Sequence, residues 1–250
     1  MKTAIIIGAT SGIGRALAER LARGGWVVGA AGRREALLQE LSAQFPEGTI
    51  FPQVMDITKP EATEALDALL AKTGTPDLFL HVSGVGRQNP DMNEVIETWT
   101  METNCTGMAR MVSHFIRYVL ASGAYDAKHK ALIGVVTSVA GTAGLGVSAS
   151  YSASKKMQIT YLSALSQLAH MQKWPILFSD IRPGFVETEI LNMDRKYPRL
   201  ISAEKAAEYI LKGLRRKRRI IIFDGRFRLI TALWRLIPRC IWERLTFIKN

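Results

Sequence analysis

Short apolar runs alternate along this 250-residue chain with longer segments whose apolar residues return every three or four positions. The runs at 4–7, 26–31, 49–54, 78–82, 131–137, 176–181 and 219–223 read as strands. Helical periodicity occupies 12–23, 34–44, 60–72, 92–121, 150–172 and 203–214. Strands and helices alternating in this way predict a parallel sheet with helices on both faces. Pro60 is expected in the first turn of its helix, where a missing N–H costs little. In such sheets ligands bind beyond the carboxyl ends of the strands, so the loops there are the places to look for chemistry.

The first of those loops is distinctive. Lys2-Thr3-Ala4-Ile5-Ile6-Ile7, rich in β-branched residues, breaks directly into Gly8-Ala9-Thr10-Ser11-Gly12-Ile13-Gly14, and Ile13, Leu17 and Leu21 follow at helical spacing. Glycines permit a tight turn and close approach of backbone to a pyrophosphate, and the helix N-terminus offers N–H groups and a positive dipole. Glycine also favours ordinary strand-to-helix turns, but strand, glycine turn and helix together are the context a dinucleotide site requires. Farther on, Tyr151 and Lys155 stand four apart on one helix face, with Ser138 upstream. A phenol with a pKa near ~10 is a poor acid-base group at neutral pH. An ammonium beside it favours the phenolate, and a serine hydroxyl can hold a carbonyl against it. Tyrosine and lysine share solvated helix faces often, so this spacing carries weight only beside the glycine turn.

Gly8, Gly12, Ile13, Gly14, Asn104, Ser138, Tyr151 and Lys155 together resemble the motif set of the short-chain dehydrogenase/reductase (SDR) family. Asp56-Ile57-Thr58, Ser83-Gly84 and Pro183-Gly184-Phe185-Val186-Glu187-Thr188 extend the resemblance over about residues 2–222. It implies a doubly wound, Rossmann-like three-layer αβα sandwich with a seven-stranded parallel sheet. It implies a nicotinamide cofactor and hydride transfer between an alcohol and a carbonyl. By the same resemblance Tyr151 protonates the carbonyl oxygen, Lys155 lowers its pKa and bonds the nicotinamide ribose, and Ser138 orients the carbonyl. Asn104 anchors a water that relays protons; a helix kink is its alternative role, since asparagine is a poor helix former. The cofactor would lie against Gly8, Thr10, Ser11, Gly12, Ile13 and Gly14, then Asp56, Ile57, Ser83 and Gly84. Pro183, Gly184, Val186 and Thr188 would face the nicotinamide. A catalytically idle Rossmann scaffold or nucleotide sensor is the alternative function.

The second strand ends in Gly32-Arg33-Arg34, where NAD-preferring members of the family carry an acid. A guanidinium binds a 2′-phosphate that a carboxylate would repel, so the expected cofactor is NADP(H), with Arg33 the chief contact. Arg34 either stacks on adenine or stays solvated. Asp56 matches the family acid on the adenine amino group; a helix N-cap is the other role at this place, expected to fall to Thr58. His81-Val82-Ser83-Gly84 stands where the family has Asn-Asn-Ala-Gly, and His81 is expected to be a hydrogen-bonded core residue. Ile190, Leu191, Met193 and Tyr197, with the small apolar stretch 141–150, suit a hydrophobic carbonyl or alcohol substrate.

Composition narrows the remaining choices. Two cysteines, Cys105 and Cys240, exclude a disulfide scaffold and fit a reducing compartment, and four scattered histidines suggest no metal. No segment has the ~18 uninterrupted apolar residues of a membrane span. A first strand that begins at once leaves no room for a signal peptide, so a cytoplasmic protein is expected. Of the net charge of +11, residues 212–250 carry +10. Residues 1–225 are expected to form the catalytic domain and 226–250 its basic helical extension, bent or divided at Pro238. Phe227, Ile230, Trp234, Ile237, Ile241 and Leu245 alternate there with arginines. The extension either packs on the body or lies on anionic lipid as a peripheral membrane contact; it offers no motif for reading nucleic acid. The helical patterns at 92–121 and 150–172 resemble those that pair between subunits in the SDR family, and Ile159, Leu162, Leu165 and Leu168 exceed what one helix needs to cover its own sheet, so the resemblance implies a homodimer or homotetramer.

Overall fold

Residues 2–189, 200–223, 225–234 and 236–245 are described by the computed structural model. Strands β1 (Thr3–Ile7), β2 (Val27–Gly32), β3 (Ile50–Val54), β4 (Leu78–His81), β5 (Ala131–Val136), β6 (Ile176–Arg182) and β7 (Ile220–Ile222) form one sheet. Their order is β3-β2-β1-β4-β5-β6-β7, and every pairing is parallel. The order reverses between β1 and β4, which opens a crevice at their carboxyl ends. Ile7 pairs with Ala31 on one side and His81 on the other, so three strands finish at the same level beneath that crevice.

The helices follow as α1 (Gly12–Arg23), α2 (Glu35–Ala43), α3 (Ala62–Thr73), α4 (Glu94–Met101), α5 (Met108–Ala121), α6 (Ala149–Met171), α7 (Ala203–Arg215), α8 (Gly225–Trp234) and α9 (Arg239–Trp242). Alternate residues of β1 and β4 build the two cores. Ala4, Ile6, Leu78 and Leu80 meet Leu17 of α1, Leu38 of α2 and Ile210 of α7 on one face. Ile5, Ile7 and Phe79 meet Leu66 of α3, Phe115 of α5 and Leu162 of α6 on the other. Burying both faces explains why β1 is apolar at nearly every position rather than at every second one. Phe79 and Phe115 stack with ring centres 4.4 Å apart and hold β4 against α5. Asn93 and Ser202 cap α4 and α7, accepting hydrogen bonds from the Val95 and Lys205 N–H groups.

Three expectations need correction. The helical pattern at 92–121 is not one helix: a π-helical segment, Glu102–Gly107, separates α4 from α5. Asn104 sits in that segment with its side chain bonded to the Val85 backbone and Ser154, while its own carbonyl accepts from Gln158 Nε2 at 2.8 Å. The third helix begins at Ala62, so Pro60 lies in the preceding turn and Glu61, not Thr58, holds the N-cap position. Thr58 donates instead to Asp56 through both its N–H (3.0 Å) and its hydroxyl (2.8 Å). Leu162 is fully buried and Ile159 and Leu165 are half-buried, so of these four residues only Leu168 is exposed, joined by Met171.

The tail divides at Pro238, the residue just before α9. Its helix α8 packs over the 3-10 turn Val139–Thr142 and the end of β7, with Thr231 buried. The Trp242 indole donates to the Gly144 carbonyl at 2.7 Å and meets Trp234 edge to face. One face of the tail therefore packs on the body, and the other is exposed. Among the described residues no helix is long and apolar enough to cross a membrane.

Candidate active site

A groove of about 500 Å³ opens over the carboxyl ends of β1, β2, β4 and β5. Gly8, Thr10, Ser11, Gly12, Ile13, Gly14, Arg33 and Arg34 line one end. Asp56, Ile57, Ser83 and Gly84 follow, and Ser138, Tyr151, Lys155, Pro183, Gly184, Val186 and Thr188 line the other end. The candidate catalytic and cofactor-binding residues thus meet there, except Asn104, which is fully buried behind the wall. The apolar residues 190, 191, 193 and 197 lie outside the described residues.

The glycine turn is required by contact as well as by conformation. A Cβ on Gly14 would lie 1.8 Å from the Gly8 carbonyl oxygen, so helix α1 can start this close to β1 only without a side chain. Gly8 has φ of +96°, and a Cβ there would strike the Ser83 nitrogen at 2.6 Å. The cradle that side chains would fill is open along the backbone at the N-terminus of α1, and it fits a pyrophosphate. Arg34 reaches across it, donating to Thr10 Oγ1 (2.9 Å) and Ser11 Oγ (2.6 Å) and pairing with Glu189 at 2.9 Å. Arg34 is half-exposed yet bonded to three side chains, and Glu189, a partner that local spacing does not reveal, depends on it. The Arg34 guanidinium is the main cause holding the Glu189 carboxyl below its usual range. Arg33 points to solvent with its charge near Asp56. The Asp56 pKa is lowered on balance: burial raises it, and the bonds from Thr58 with the Arg33 charge outweigh that.

At the other end, Ser138 precedes a 3-10 turn and its Oγ accepts from the Ala140 N–H. Burial raises the Tyr151 pKa, and a hydrogen bond from Ser138 pulls against it. Lys155 is not among the groups acting on the phenol here. The Lys155 Nζ lies 5.7 Å from the Tyr151 ring centre and donates elsewhere, to the Val136 carbonyl (3.0 Å) and Gln158 Oε1 (3.1 Å). Burial brings the Lys155 pKa down to about 8, while Cys105 and Asp180 oppose the shift. Asn104 staples three elements: Oδ1 accepts from Val85 N–H (2.8 Å), and Nδ2 donates to Val85 O (2.7 Å) and Ser154 Oγ (3.0 Å).

His81 also departs from expectation. It is fully buried, yet neither ring nitrogen has a partner in hydrogen-bonding geometry, and the Ser83 backbone raises its pKa too little to offset burial. Desolvation, aided by the Lys155 charge, lowers its pKa to about 3. The ring is neutral at any working pH and contributes packing. Gln158, three residues beyond Lys155 and fully buried, was missed; a polar residue on the Tyr151–Lys155 side of α6 was the available signal.

A family model described as short chain dehydrogenase matches residues 2–198. The chain belongs to the short-chain dehydrogenase/reductase family. An uncharacterized oxidoreductase of Myxococcus xanthus is 33% identical to this SDR over 251 residues, covering 97% of this chain and 95% of the relative. The 3-oxoacyl-[acyl-carrier-protein] reductase FabG of Vibrio cholerae is 31% identical over 193 residues, 76% of this chain and 75% of FabG. Among solved structures, an SDR from Burkholderia phymatum in complex with NAD superposes with a TM-score of 0.80 at 22% identity, covering 93% and 92% of the two chains. A short chain dehydrogenase from Burkholderia cenocepacia in complex with NADP also gives 0.80, at 20% identity over 98% and 99%. The expected Rossmann-like sandwich is therefore the fold of this oxidoreductase family.

Proposed function

We propose that this SDR transfers hydride between NADP(H) and a carbonyl or alcohol, most favourably a hydrophobic one. The observation that carries the reading is one continuous groove with the glycine turn at one end and Ser138, Tyr151 and Lys155 at the other. Bound NADPH supplies the hydride. Ser138 donates a hydrogen bond to the carbonyl oxygen, and Tyr151 gives that oxygen its proton as the carbon is reduced. The hydrogen bond from Ser138 favours the charge that develops on the Tyr151 oxygen, against the burial that raises its pKa. Lys155, held 5.7 Å from the ring centre, stabilises the phenolate that remains and restores its proton. Asn104 keeps the loop after β4 in place against α6. The absence of an acid at Gly32, with Arg33 exposed beside it, supports NADP(H) over NAD(H).

NADPH oxidation screened over carbonyl compounds of graded size and polarity tests the reading. Tyr151→Phe should abolish turnover while NADPH still binds, and Arg33→Asp should move binding preference towards NADH. Unchanged turnover in Tyr151→Phe would sink the mechanism, and no turnover of any carbonyl by the wild type would leave the idle-scaffold alternative standing.

Assembly and location extend the proposal. Val95, Met101, Leu120, Leu168 and Met171 are exposed apolar residues on α4, α5 and α6, which supports a homodimer or homotetramer. Light scattering at micromolar concentration decides it, and a monomer refutes it. The tail exposes Leu229, Leu233, Leu236 and Ile241, with Arg239 almost fully in solvent, which suits peripheral contact with anionic lipid from a cytoplasmic protein. Salt-sensitive sedimentation with phosphatidylserine vesicles, lost on removing 226–250, is expected; equal sedimentation of both forms contradicts it.

A further inference from the structure

Asn104 and Lys155 are joined through a third side chain that the reaction just described does not use. Gln158 Nε2 donates to the Asn104 carbonyl at 2.8 Å, and its Oε1 accepts from the Lys155 ammonium at 3.1 Å. Gln158 and Asn104 lie fully buried behind the groove wall, and Lys155, nearly as buried, forms part of that wall.

We propose that Gln158 is a positioning residue for this reaction, its amide bridging Lys155 to the Asn104 carbonyl so that the ammonium exchanges protons only on its groove side. The proposal rests on the carbonyl reduction proposed above. The family resemblance assigns Asn104 a relay water, but here the Asn104 carbonyl and the rear of the ammonium are both bonded by the same amide. A primary amide donates and accepts hydrogen bonds without titrating near neutrality, so it links these groups without passing a proton. Lys155 has three N–H donors; one goes to Val136 O and one to Gln158. The third is left for the groove, where Gly84 is small enough to let it pass: a Cβ there would lie 3.3 Å from Nζ.

The choice of glutamine over glutamate also has a consequence. The titratable groups facing Lys155 are Tyr151 on its own helix, Cys105 of the π-helical segment, Asp180 of β6 and His81 of β4. None of them is an anion bonded to Nζ, and Gln158 adds an acceptor without adding charge. The ammonium is thus held in place while its proton stays available.

The test follows Lys155 directly, by NMR titration of lysine labelled with carbon-13 at Cε, the signal assigned by its loss in Lys155→Met. Gln158→Glu should raise the Lys155 titration by about 1–3 pH units and carry the alkaline limb of the kcat/KM profile with it. Gln158→Met, similar in size without an acceptor, should lower kcat on the order of tenfold with little change in carbonyl KM. An unchanged Lys155 titration in folded Gln158→Glu, or wild-type kcat in Gln158→Met, overturns the proposal. A shifted titration in a protein that reduces no carbonyl supports the Gln158 bridge and overturns the carbonyl reduction alone.

Discussion

Replacing Lys155 by methionine should stabilise the protein while abolishing its chemistry. Lys155 is 4% exposed, and an ammonium whose pKa falls from 10.5 to about 8 is less favourable in the folded chain than in water. That shift corresponds to about 3 kcal/mol. Methionine removes the buried charge but leaves the Val136 carbonyl and Gln158 Oε1 without their donor, at about 1 kcal/mol each. The net expectation at pH 7 is a gain of about 1 kcal/mol. The dependence on pH is the sharper test. Because the folded pKa is the lower one, the unfolded chain holds more protons between about pH 8 and 10.5, and wild-type stability rises across that window. The cost is fully present below it. The methionine variant has no such titration, so its advantage should shrink and reverse by about 3 kcal/mol between pH 7 and 10.5. Urea unfolding of both proteins at several pH values measures this, the difference cancelling other titrating groups. A stability gap that stays constant with pH would refute the reasoning.

Three further perturbations are expected to behave as follows. Gly14→Ala places a Cβ where the Gly8 carbonyl now stands, so helix and strand must separate; both melting temperature and NADPH affinity by calorimetry should fall. Asp180→Asn leaves Arg182, 6% exposed and bonded to Asp180 at 2.6 and 2.8 Å, without its anion. That should cost about 3–5 kcal/mol in urea unfolding. Glu189→Gln frees Arg34 from a half-exposed ion pair, and fluorescence titration should show NADPH binding about two- to fivefold tighter at low salt.

Strands and crossover helices were legible because both faces of the sheet are buried, which leaves apolar runs such as Ala4–Ile7 between amphipathic helices. The groove was legible for a related reason: the glycine turn and the Tyr151–Lys155 spacing are local, and topology brings them together. What escaped reading depends on side-chain partners distant in sequence. The π-helical turn accompanies bonds from Asn104 to Val85 and Ser154 and from Gln158 to the Asn104 carbonyl, which no periodicity encodes. Glu189 gains its place from Arg34, 155 residues away. Nor does the Tyr151–Lys155 spacing reveal that Lys155 turns towards Val136 and Gln158, so that burial sets the Tyr151 pKa.

The central claim is hydride transfer from NADPH to a carbonyl carbon in this groove. The most direct test is turnover of a responsive carbonyl with NADPH deuterated at nicotinamide C4, followed by NMR of the alcohol product. One deuterium on the carbinol carbon, in a single configuration, and none in Tyr151→Phe, is the predicted result. Product without deuterium from either C4 position, or labelled product made equally well by Tyr151→Phe, would contradict the account.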